Sequence, residues 1–281
     1  MALPVGLKAG AELERIEIDL LLEGVYRHYG LDFRGYALGS LKRRLARRMR
    51  EEGTPTLSAL QDKVLHDEAA MERLLLALSI SVTAMFRDPS FYKAFRDKVV
   101  PLLRTYPFIR IWNAGCATGE ETVSLAILLE EEGLLERTRI YATDFNAGVV
   151  DRARSAEFPL ARMKSYTENY LKAGGTGEFS RYYKADGPIA RFSRSLTHNM
   201  VFAQHNLVSD GSFNEFHGIL CRNVLIYFGN PLQRRVHELF HDSLVNFGVL
   251  SLGHKETIRF TPLEHCYEPI DSREKIYRRI S

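Results

Sequence analysis

Hydrophobic and polar residues follow two different patterns along this chain. Up to about residue 80, apolar residues recur at the spacing of amphipathic helices, and strand-like runs are almost absent. Leu13, Ile16, Leu20 and Leu21, for example, are predicted to form the apolar face of a first helix. We therefore expect residues 1–80 to form an all-helical domain.

After about residue 108, short apolar runs alternate with amphipathic segments. The runs are IRIW, RIYATDF, MVFAQHNL, GILCRNVLIYF and GVLSLGH. Strands that alternate with helices predict a mostly parallel sheet, and the final YEPI and KIYRRI predict a terminal antiparallel hairpin. Residues 172–199 interrupt the alternation with glycines and short strand-like pieces, which predicts a small inserted β-subdomain. We expect an α/β domain over residues 106–281, with a linker helix over 81–105 before it.

Composition and charge are those of an ordinary globular protein. The chain has 281 residues, of which 45% are hydrophobic and 26% charged, and its formal net charge is +3. No apolar stretch approaches the ~20 residues that span a bilayer, and no secretion signal is recognised. The three cysteines are far apart and form no CxxC pair, which favours a reducing compartment. A cytoplasmic location is expected.

A glycine loop follows the first predicted strand. Residues 113–119 read NAGCATG, and Glu120 and Glu121 open the next predicted helix. Loop glycines let a ligand approach the backbone, and free N–H groups at a helix start favour nucleotide-like ligands. The loop has neither the lysine of a phosphate-binding P-loop nor the GxGxxG spacing of dinucleotide binders. Its carboxylates would repel a phosphate, so the pattern favours a cationic, phosphate-free ligand such as S-adenosylmethionine.

Asp144 supplies a second element of such a site. It lies 25 residues after Gly119, at the end of the second predicted strand, where an acidic residue can accept hydrogen bonds from both ribose hydroxyls. Two plainer interpretations stay open at this point. Glu120 and Glu121 could simply complement the helix dipole, and Asp144 could simply cap the next helix.

Four longer segments occur in a characteristic order. They are SVTAMFRD (81–88), NAGCATGEETVSLA (113–126), YATDFNAGVVDRARS (141–155) and ILCRNVLIYF (219–228). Together they resemble the CheR family of chemotaxis receptor methyltransferases, which are protein-glutamate O-methyltransferases. The resemblance implies a Rossmann-like α/β methyltransferase domain with an inserted β-subdomain, preceded by an all-α domain. It also implies methyl transfer from S-adenosylmethionine to receptor glutamates, with S-adenosylhomocysteine as product, for sensory adaptation.

The resemblance further implies roles for individual residues. Arg87 and Tyr227 are expected to be catalytic, orienting the acceptor carboxylate and lying over the donor methyl. The expected donor-binding residues are Ser81, Thr83, Arg87, Gly115, Glu121, Asp144, Asn206, Leu207, Arg222 and Asn223. Two positions depart from the family pattern, since Ser81 stands where asparagine is usual and Lys255 where serine is usual.

A run of basic residues lies in the second predicted helix, SLKRRLARRMREE. The family resemblance suggests that this helix docks on the glutamate-bearing helical domain of a receptor, and the residues expected to do so are Arg43, Arg44, Arg47 and Arg48. A merely solvated face is the alternative. Nucleic-acid binding is not expected, because the pI is only about 8.7 and no aromatic platform accompanies the run. In the family the β-subdomain can also bind a receptor's C-terminal tail. We expect a monomer without membrane insertion.

A formal zinc-peptidase signature, HExxH, occurs at residues 237–241. Apolar Val236, Leu239 and Phe240 on the same predicted helix favour a crossover helix instead, so no metal site is expected. Three alternatives to receptor methylation remain at this stage: a zinc hydrolase, a methyltransferase acting on RNA or a small molecule, and a receptor-binding module without catalysis. The presence of both Arg87 and Asp144 argues against the last.

Overall fold

The computed structural model describes residues 9–78 and 83–281, which form two compact units. The first unit contains residues 9–78 and the short segment Tyr227–Leu232. The second contains residues 83–226 and Gln233–Ser281. The described part of the expected linker, residues 83–105, therefore belongs to the second unit.

Helices build the first unit. They are α1 (Ala9–Tyr29), α2 (Leu38–Glu52), α3 (Leu57–His66) and α4 (Glu68–Leu78). The hydroxyl of Thr56 caps α3 by accepting a hydrogen bond from the N–H of Ala59 at 3.0 Å.

The apolar face of α1 differs from the predicted one. Of the four residues assigned to it, only Leu21 is buried, whereas Leu13, Ile16 and Leu20 are each about half exposed. The helix packs against α3 through a neighbouring face, whose buried residues are Ile18, Leu21, Leu22 and Val25. The prediction was wrong because apolar residues occur on both faces of α1, and spacing alone does not tell which face meets a partner.

Glu52, the last residue of α2, is the centre of a charge cluster in this unit. Its side chain is only 4% exposed and pairs with Arg48 at 3.2 Å, Lys63 at 2.7 Å and Arg73 at 2.6 Å. These hydrogen bonds, that from Arg73 above all, lower the pKa of Glu52 to about 2. Because Lys63 lies on α3 and Arg73 on α4, one carboxylate connects three helices.

The second unit alternates helices and strands. Its helices are α5 (Pro89–Ala94), a π-helical turn (Phe95–Val99), α6 (Val100–Leu103), α7 (Glu120–Glu131), α8 (Ala147–Ser155), α9 (Met163–Lys172), α10 (Arg194–Thr197) and α11 (Asn230–Ser243), the last beginning in the segment of the first unit. Its strands are β1 (Ile109–Ala114), β2 (Thr138–Asp144), β3 (Glu157–Pro159), β4 (Tyr183–Asp186), β5 (Ile189–Phe192), β6 (Met200–Gln204), β7 (Phe216–Cys221), β8 (Leu244–Leu252), β9 (Tyr267–Asp271) and β10 (Ile276–Arg279).

Seven strands form the main sheet in the order β6-β2-β1-β7-β8-β10-β9. The first five are parallel, and β10 pairs antiparallel with both β8 and β9. The strands are apolar because helices cover both faces, so that Ile109, Ile111 and Ile219, for example, are fully buried. The Rossmann-like fold class with a terminal antiparallel hairpin is confirmed.

A separate three-stranded antiparallel sheet, in the order β3-β5-β4, forms the inserted β-subdomain. It begins at Glu157 and includes α9, whereas the sequence placed the insertion at 172–199. The three-residue strand β3 is too short to show an alternating pattern, which explains why it was missed.

None of the helices found in residues 9–78 and 83–281 combines the length and the apolar character that crossing a bilayer requires.

Substitution of Glu52 tests the charge cluster. We expect Glu52→Ala to lower the free energy of unfolding by about 2 kcal/mol, because three cations lose their shared buried partner and Lys63 loses its ion pair. The matched change Glu51→Ala removes a more exposed carboxylate and should lower the free energy of unfolding clearly less. Urea unfolding of both variants measures the difference, and equal losses would contradict the role of Glu52.

The pH dependence has a defined sign. Pairing lowers the pKa of Glu52 from about 4.3 in an unfolded chain to about 2. Its stabilising effect should therefore be complete above the unfolded value and disappear as the pH falls towards the folded one. A gap between wild type and Glu52→Ala that widened on acidification would contradict this assignment.

Candidate active site

The carboxyl ends of four parallel strands meet at one edge of the main sheet. In register, Ala114 of β1 lies opposite Thr143 of β2, and Asp144 lies opposite Gln204 of β6. Strand β7 ends at Cys221 beside β1. Open α/β sheets bind ligands at this edge, where the strand order reverses.

The glycine loop is held against β2 at this edge. The N–H groups of Gly115 and Cys116 both donate to the carbonyl of Thr143 at 2.8 Å. Gly115 has a φ of +78°, and a Cβ there would lie 2.5 Å from Cγ2 of Val224. Glycine therefore suits both this conformation and the close approach of the loop to Val224.

Asp144 accepts hydrogen bonds from the backbone on two sides. One carboxylate oxygen receives the N–H of Ala117 and the other that of Asn146, each at 3.1 Å. Burial raises the pKa of Asp144, and the backbone donors partly offset this. The cap of α8 is Asn146, whose side chain accepts from Val149, so helix capping does not account for Asp144. A carboxylate has further lone pairs that can accept ribose hydroxyls.

The two glutamates that open α7 have different partners. Glu121 lies 3.5 Å from a guanidinium nitrogen of Arg222. Glu120 is buried and accepts hydrogen bonds from the hydroxyls of Thr118 at 2.6 Å and Tyr166 at 3.4 Å. Burial raises the pKa of both glutamates, and for Glu121 the charge of Arg222 opposes the rise. A helix-dipole effect alone does not explain such an arrangement.

Arg222 carries a buried positive charge at the end of β7. Its guanidinium donates to Asp88 at 2.9 Å and to the carbonyl of Arg87 at 3.4 Å, and it lies 3.9 Å from the ring centre of Phe91. Asp88 and Phe91 were not recognised from the sequence, although Asp88 ends the SVTAMFRD segment. Arg222 thus connects this segment to Glu121.

The segment before α5 has an unusual backbone. Phe86 and Asp88 adopt φ values of +51° and +55°, in the left-handed region that side chains disfavour. The N–H of Phe86 donates to the hydroxyl of Ser124 on α7 at 2.9 Å, which holds the segment in place. Arg87 lies between these residues, and its charge slightly opposes the rise in the pKa of Glu121 that burial causes. Strained backbone of this kind occurs often at functional sites.

Glu256 is a second buried residue that the site prediction left out. Its carboxylate accepts the N–H groups of Asn223 at 3.0 Å, Ile226 at 3.2 Å and Gly253 at 2.6 Å. A Cβ on Gly253 would lie 2.7 Å from this carboxylate. Glu256 ends the segment Gly253-His254-Lys255-Glu256, which already contains the Lys255 departure, and this position could have indicated its importance from the sequence. Glu256 fixes the turn after β7, in which Asn223 has a φ of +62°.

Asn206 and Leu207 lie next to Asp144. The N–H of His205 donates to the carbonyl of Asp144 at 3.0 Å, which places the following residues beside it. The side chain of Asn206 accepts from the N–H of Val208 at 3.0 Å, and Leu207 is buried. The structure therefore brings Gly115, Asp144, Asn206 and Leu207 to one edge of the sheet.

The remaining predicted site residues have other positions. Thr83 lines a cleft near the glycine loop, and Ser81 lies outside the described residues. Tyr227 belongs to the helical unit, where its carbonyl accepts from Ala37 at 2.8 Å and its ring lies under Arg44. Its expected role over the donor methyl stays a prediction.

The basic residues of α2 are not equivalent. Arg44 is buried and donates to the carbonyl of Leu78, so its assignment to an exposed docking face is corrected. Arg48 is only 12% exposed and pairs with Glu51 and Glu52. Arg43 and Arg47 are exposed, although Arg47 also pairs with Glu51.

The HExxH segment lies in α11 as expected for a crossover helix. His237 is fully buried, and burial lowers its pKa to about 4. Across residues 9–78 and 83–281, no cluster of three or more histidine, cysteine or acidic residues is arranged to hold a metal ion.

Fold and site together define the class of protein. A Rossmann-like sheet with a glycine loop, and with Glu121 and Asp144 at the carboxyl ends of its strands, suits a nucleoside ligand with positive charge. The family match agrees with this architecture, and the chain is an S-adenosylmethionine-dependent methyltransferase. Residues 81–275 match the family model described as CheR methyltransferase, SAM binding domain. Residues 16–79 match that of the CheR methyltransferase, all-alpha domain. The chain belongs to the CheR methyltransferase family.

Relatives from bacteria agree with this assignment. The chain is 48% identical to a Pseudomonas putida protein named methyltransferase Cher3, over 94% of this chain and 97% of that one. It is 30% identical to chemotaxis protein methyltransferase 2 of Pseudomonas aeruginosa, over 86% of both chains. A 104.1 kDa protein of Rhodobacter capsulatus is 29% identical over 98% of this chain, which spans 28% of that protein.

Asp144→Asn tests the ligand site. The substitution keeps the side-chain shape but removes the charge that would accept two ribose hydroxyls, so we expect binding of S-adenosylhomocysteine to weaken at least about 30-fold. Asp151→Asn changes an exposed aspartate on α8 and serves as the matched control. Isothermal titration calorimetry measures both, and unchanged affinity in Asp144→Asn would exclude this site.

Proposed function

We propose that this protein transfers a methyl group from S-adenosylmethionine to glutamate side chains of methyl-accepting chemotaxis-type receptors. The products are S-adenosylhomocysteine and a glutamyl methyl ester, which tunes sensory adaptation. The observation that carries the proposal is the pair of desolvated carboxylates, Glu121 and Asp144, beside the glycine loop of a CheR-family chain. Relatives named chemotaxis protein methyltransferases support the same reaction class.

The residues at the sheet edge suit the donor. The backbone at Gly115 would approach it closely, and Asp144 would accept the ribose hydroxyls. Glu121 would meet the ammonium group, and the charge of Arg222 opposes the rise in the pKa of this glutamate that burial causes. Asn206 and Leu207 would flank the adenine. Thr83, Asn223 and Ser81 are also proposed to contact the donor.

Methyl transfer to a glutamate carboxylate requires correct positioning of the two substrates rather than proton transfer. S-adenosylmethionine supplies a methyl group on a positively charged sulfur. A glutamate carboxylate is ionised at neutral pH, since its ordinary pKa is about 4.3, and it can attack without a general base. The protein's part is to align the carboxylate with the methyl group and to keep water away, which in favourable cases lowers barriers by about 7–11 kcal/mol.

Arg87 and Tyr227 are the proposed catalytic residues. Arg87 lies between two strained residues, and this backbone would direct its guanidinium towards the acceptor carboxylate. A guanidinium can hold a carboxylate through two parallel hydrogen bonds, which fixes the direction of attack. Tyr227 would contact the reacting groups from the donor-methyl side.

Receptor docking is proposed to involve the exposed cations of α2. Arg43 and Arg47 would face acidic residues of a receptor's cytoplasmic helical domain, where electrostatic complementarity speeds association. Strand β4 lies at the edge of the small sheet and could pair with a receptor's C-terminal tail. We further propose that the enzyme acts in the cytoplasm as a monomer.

Methyl incorporation tests the proposal. Vesicles that contain a chemoreceptor are incubated with the protein and donor labelled in its methyl group, and base-labile label on the receptor is counted. Wild type should label the receptor. Arg87→Ala should reduce kcat/KM at least about 100-fold, because the acceptor loses its orientation.

The control and the opposing results are defined. Lys164→Ala removes an exposed charge on α9 and should leave the rate unchanged. Label that is transferred to total RNA instead of the receptor would replace this proposal with RNA methylation. No label on the receptor, while S-adenosylhomocysteine still binds, would overturn the proposed acceptor.

A further inference from the structure

A cleft of about 700 Å³ lies between the start of α7 and the three-stranded sheet. Thr83, Thr118 and Glu120 line it, and Pro159 and Ile189 contribute apolar surface. Its size is within the range of ligand-binding clefts, which is roughly 300–1,000 Å³.

The cleft adjoins the proposed donor site and shares Thr83 with it. Thr118 belongs to the glycine loop and Thr83 to the segment before α5, so the cleft adjoins the reacting centre. Glu121, Asp144 and Asn206, which would hold the donor, are not among the lining residues. This placement suits the second substrate.

Two arginines and two glutamates line the cleft, and they differ in their partners. Arg152 and Arg162 line it, both are exposed, and neither forms an ion pair with a carboxylate in the described part of the chain. The acidic lining residues are already engaged: Glu157 pairs with Arg191 at 3.0 Å, and Glu120 is buried and hydrogen-bonded. The charge of Arg162 opposes the rise in the pKa of Glu120 that burial causes, but no ion pair holds the guanidinium of Arg162 or Arg152 within the described residues, so both can contact an acidic ligand.

We propose that this cleft receives the polypeptide segment that carries the acceptor glutamate, and that Arg152 and Arg162 bind acidic side chains flanking that glutamate. The inference rests on the proposed function for the identity of the acceptor. The apolar wall from Pro159 and Ile189 suits the non-polar side chains of a peptide, and the two arginines select its acidic residues. They are specificity-determining residues, separate from the catalytic ones.

A binding experiment tests the cleft independently of catalysis. The probes are a short fluorescein-labelled alanine peptide with three glutamates and its counterpart with three glutamines. Fluorescence anisotropy with the full chain and S-adenosylhomocysteine should show at least about fivefold tighter binding of the glutamate peptide by wild type. The double variant Arg152→Ala/Arg162→Ala should lose this preference.

The matched control is Arg154→Ala/Lys164→Ala, which removes the same charge from the same two regions but outside the cleft lining. It should keep the preference of wild type. Unfolding temperatures of both double variants are compared to exclude a folding defect. No preference in wild type, or an equal loss in both double variants, would overturn the inference.

Kinetics with the receptor fragment that wild type methylates give a second readout. The cleft variant should raise KM about fivefold with little change in kcat and with unchanged affinity for S-adenosylhomocysteine, because acceptor recognition alone is weakened. Weaker S-adenosylhomocysteine binding would instead assign the cleft to the donor. If wild type methylates no receptor, the proposed function fails, and the peptide experiment still decides the cleft.

Discussion

The buried guanidinium of Arg222 is the interaction on which the site depends most. Its side chain is only 1% exposed, and a charge removed from water to this degree is costly unless it is compensated. Glu121, Asp88 and the ring of Phe91 provide the compensation. Glu121 lies at the start of α7, Asp88 directly precedes α5 and Phe91 belongs to α5, while Arg222 follows β7. Three parts of the chain that are distant in sequence must therefore come together around the charge of Arg222. Their contacts fix the geometry of this edge of the sheet.

Three carboxylates at this edge are buried in a similar way but have different roles. Burial raises the pKa of Glu121, Asp144 and Glu256, and each is stabilised in its charged form by different neighbours. The carboxylate of Glu256 accepts hydrogen bonds from three backbone N–H groups and so stabilises the turn after β7. Glu121 and Asp144 have capacity left for a ligand. A preformed negative environment favours a cationic sulfur compound and disfavours phosphate esters, which agrees with the family assignment.

The sequence was informative where a local pattern determines structure. Continuous apolar runs identified the parallel strands, and the loop before Glu120 and the position of Asp144 indicated the ligand edge. It was less informative where partners are distant in the chain. The exposed side of α1 at Leu13 and the burial of Arg44 depend on which helices pack together, and spacing does not encode that choice. Likewise, nothing in the segment around Asp88 indicates that its partner is a residue more than a hundred positions later.

The same reasoning changes the meaning of the departure at Lys255. Lysine stands at this position, where the family usually has serine. In the structure, Lys255 is exposed, whereas the neighbouring Glu256 is buried and makes three backbone hydrogen bonds. The functional contribution of this segment is thus carried by Glu256 and by the absence of a side chain at Gly253, whose Cβ would collide with that carboxylate. An exposed lysine leaves both intact, so this substitution can be accommodated without loss of the turn that positions Asn223.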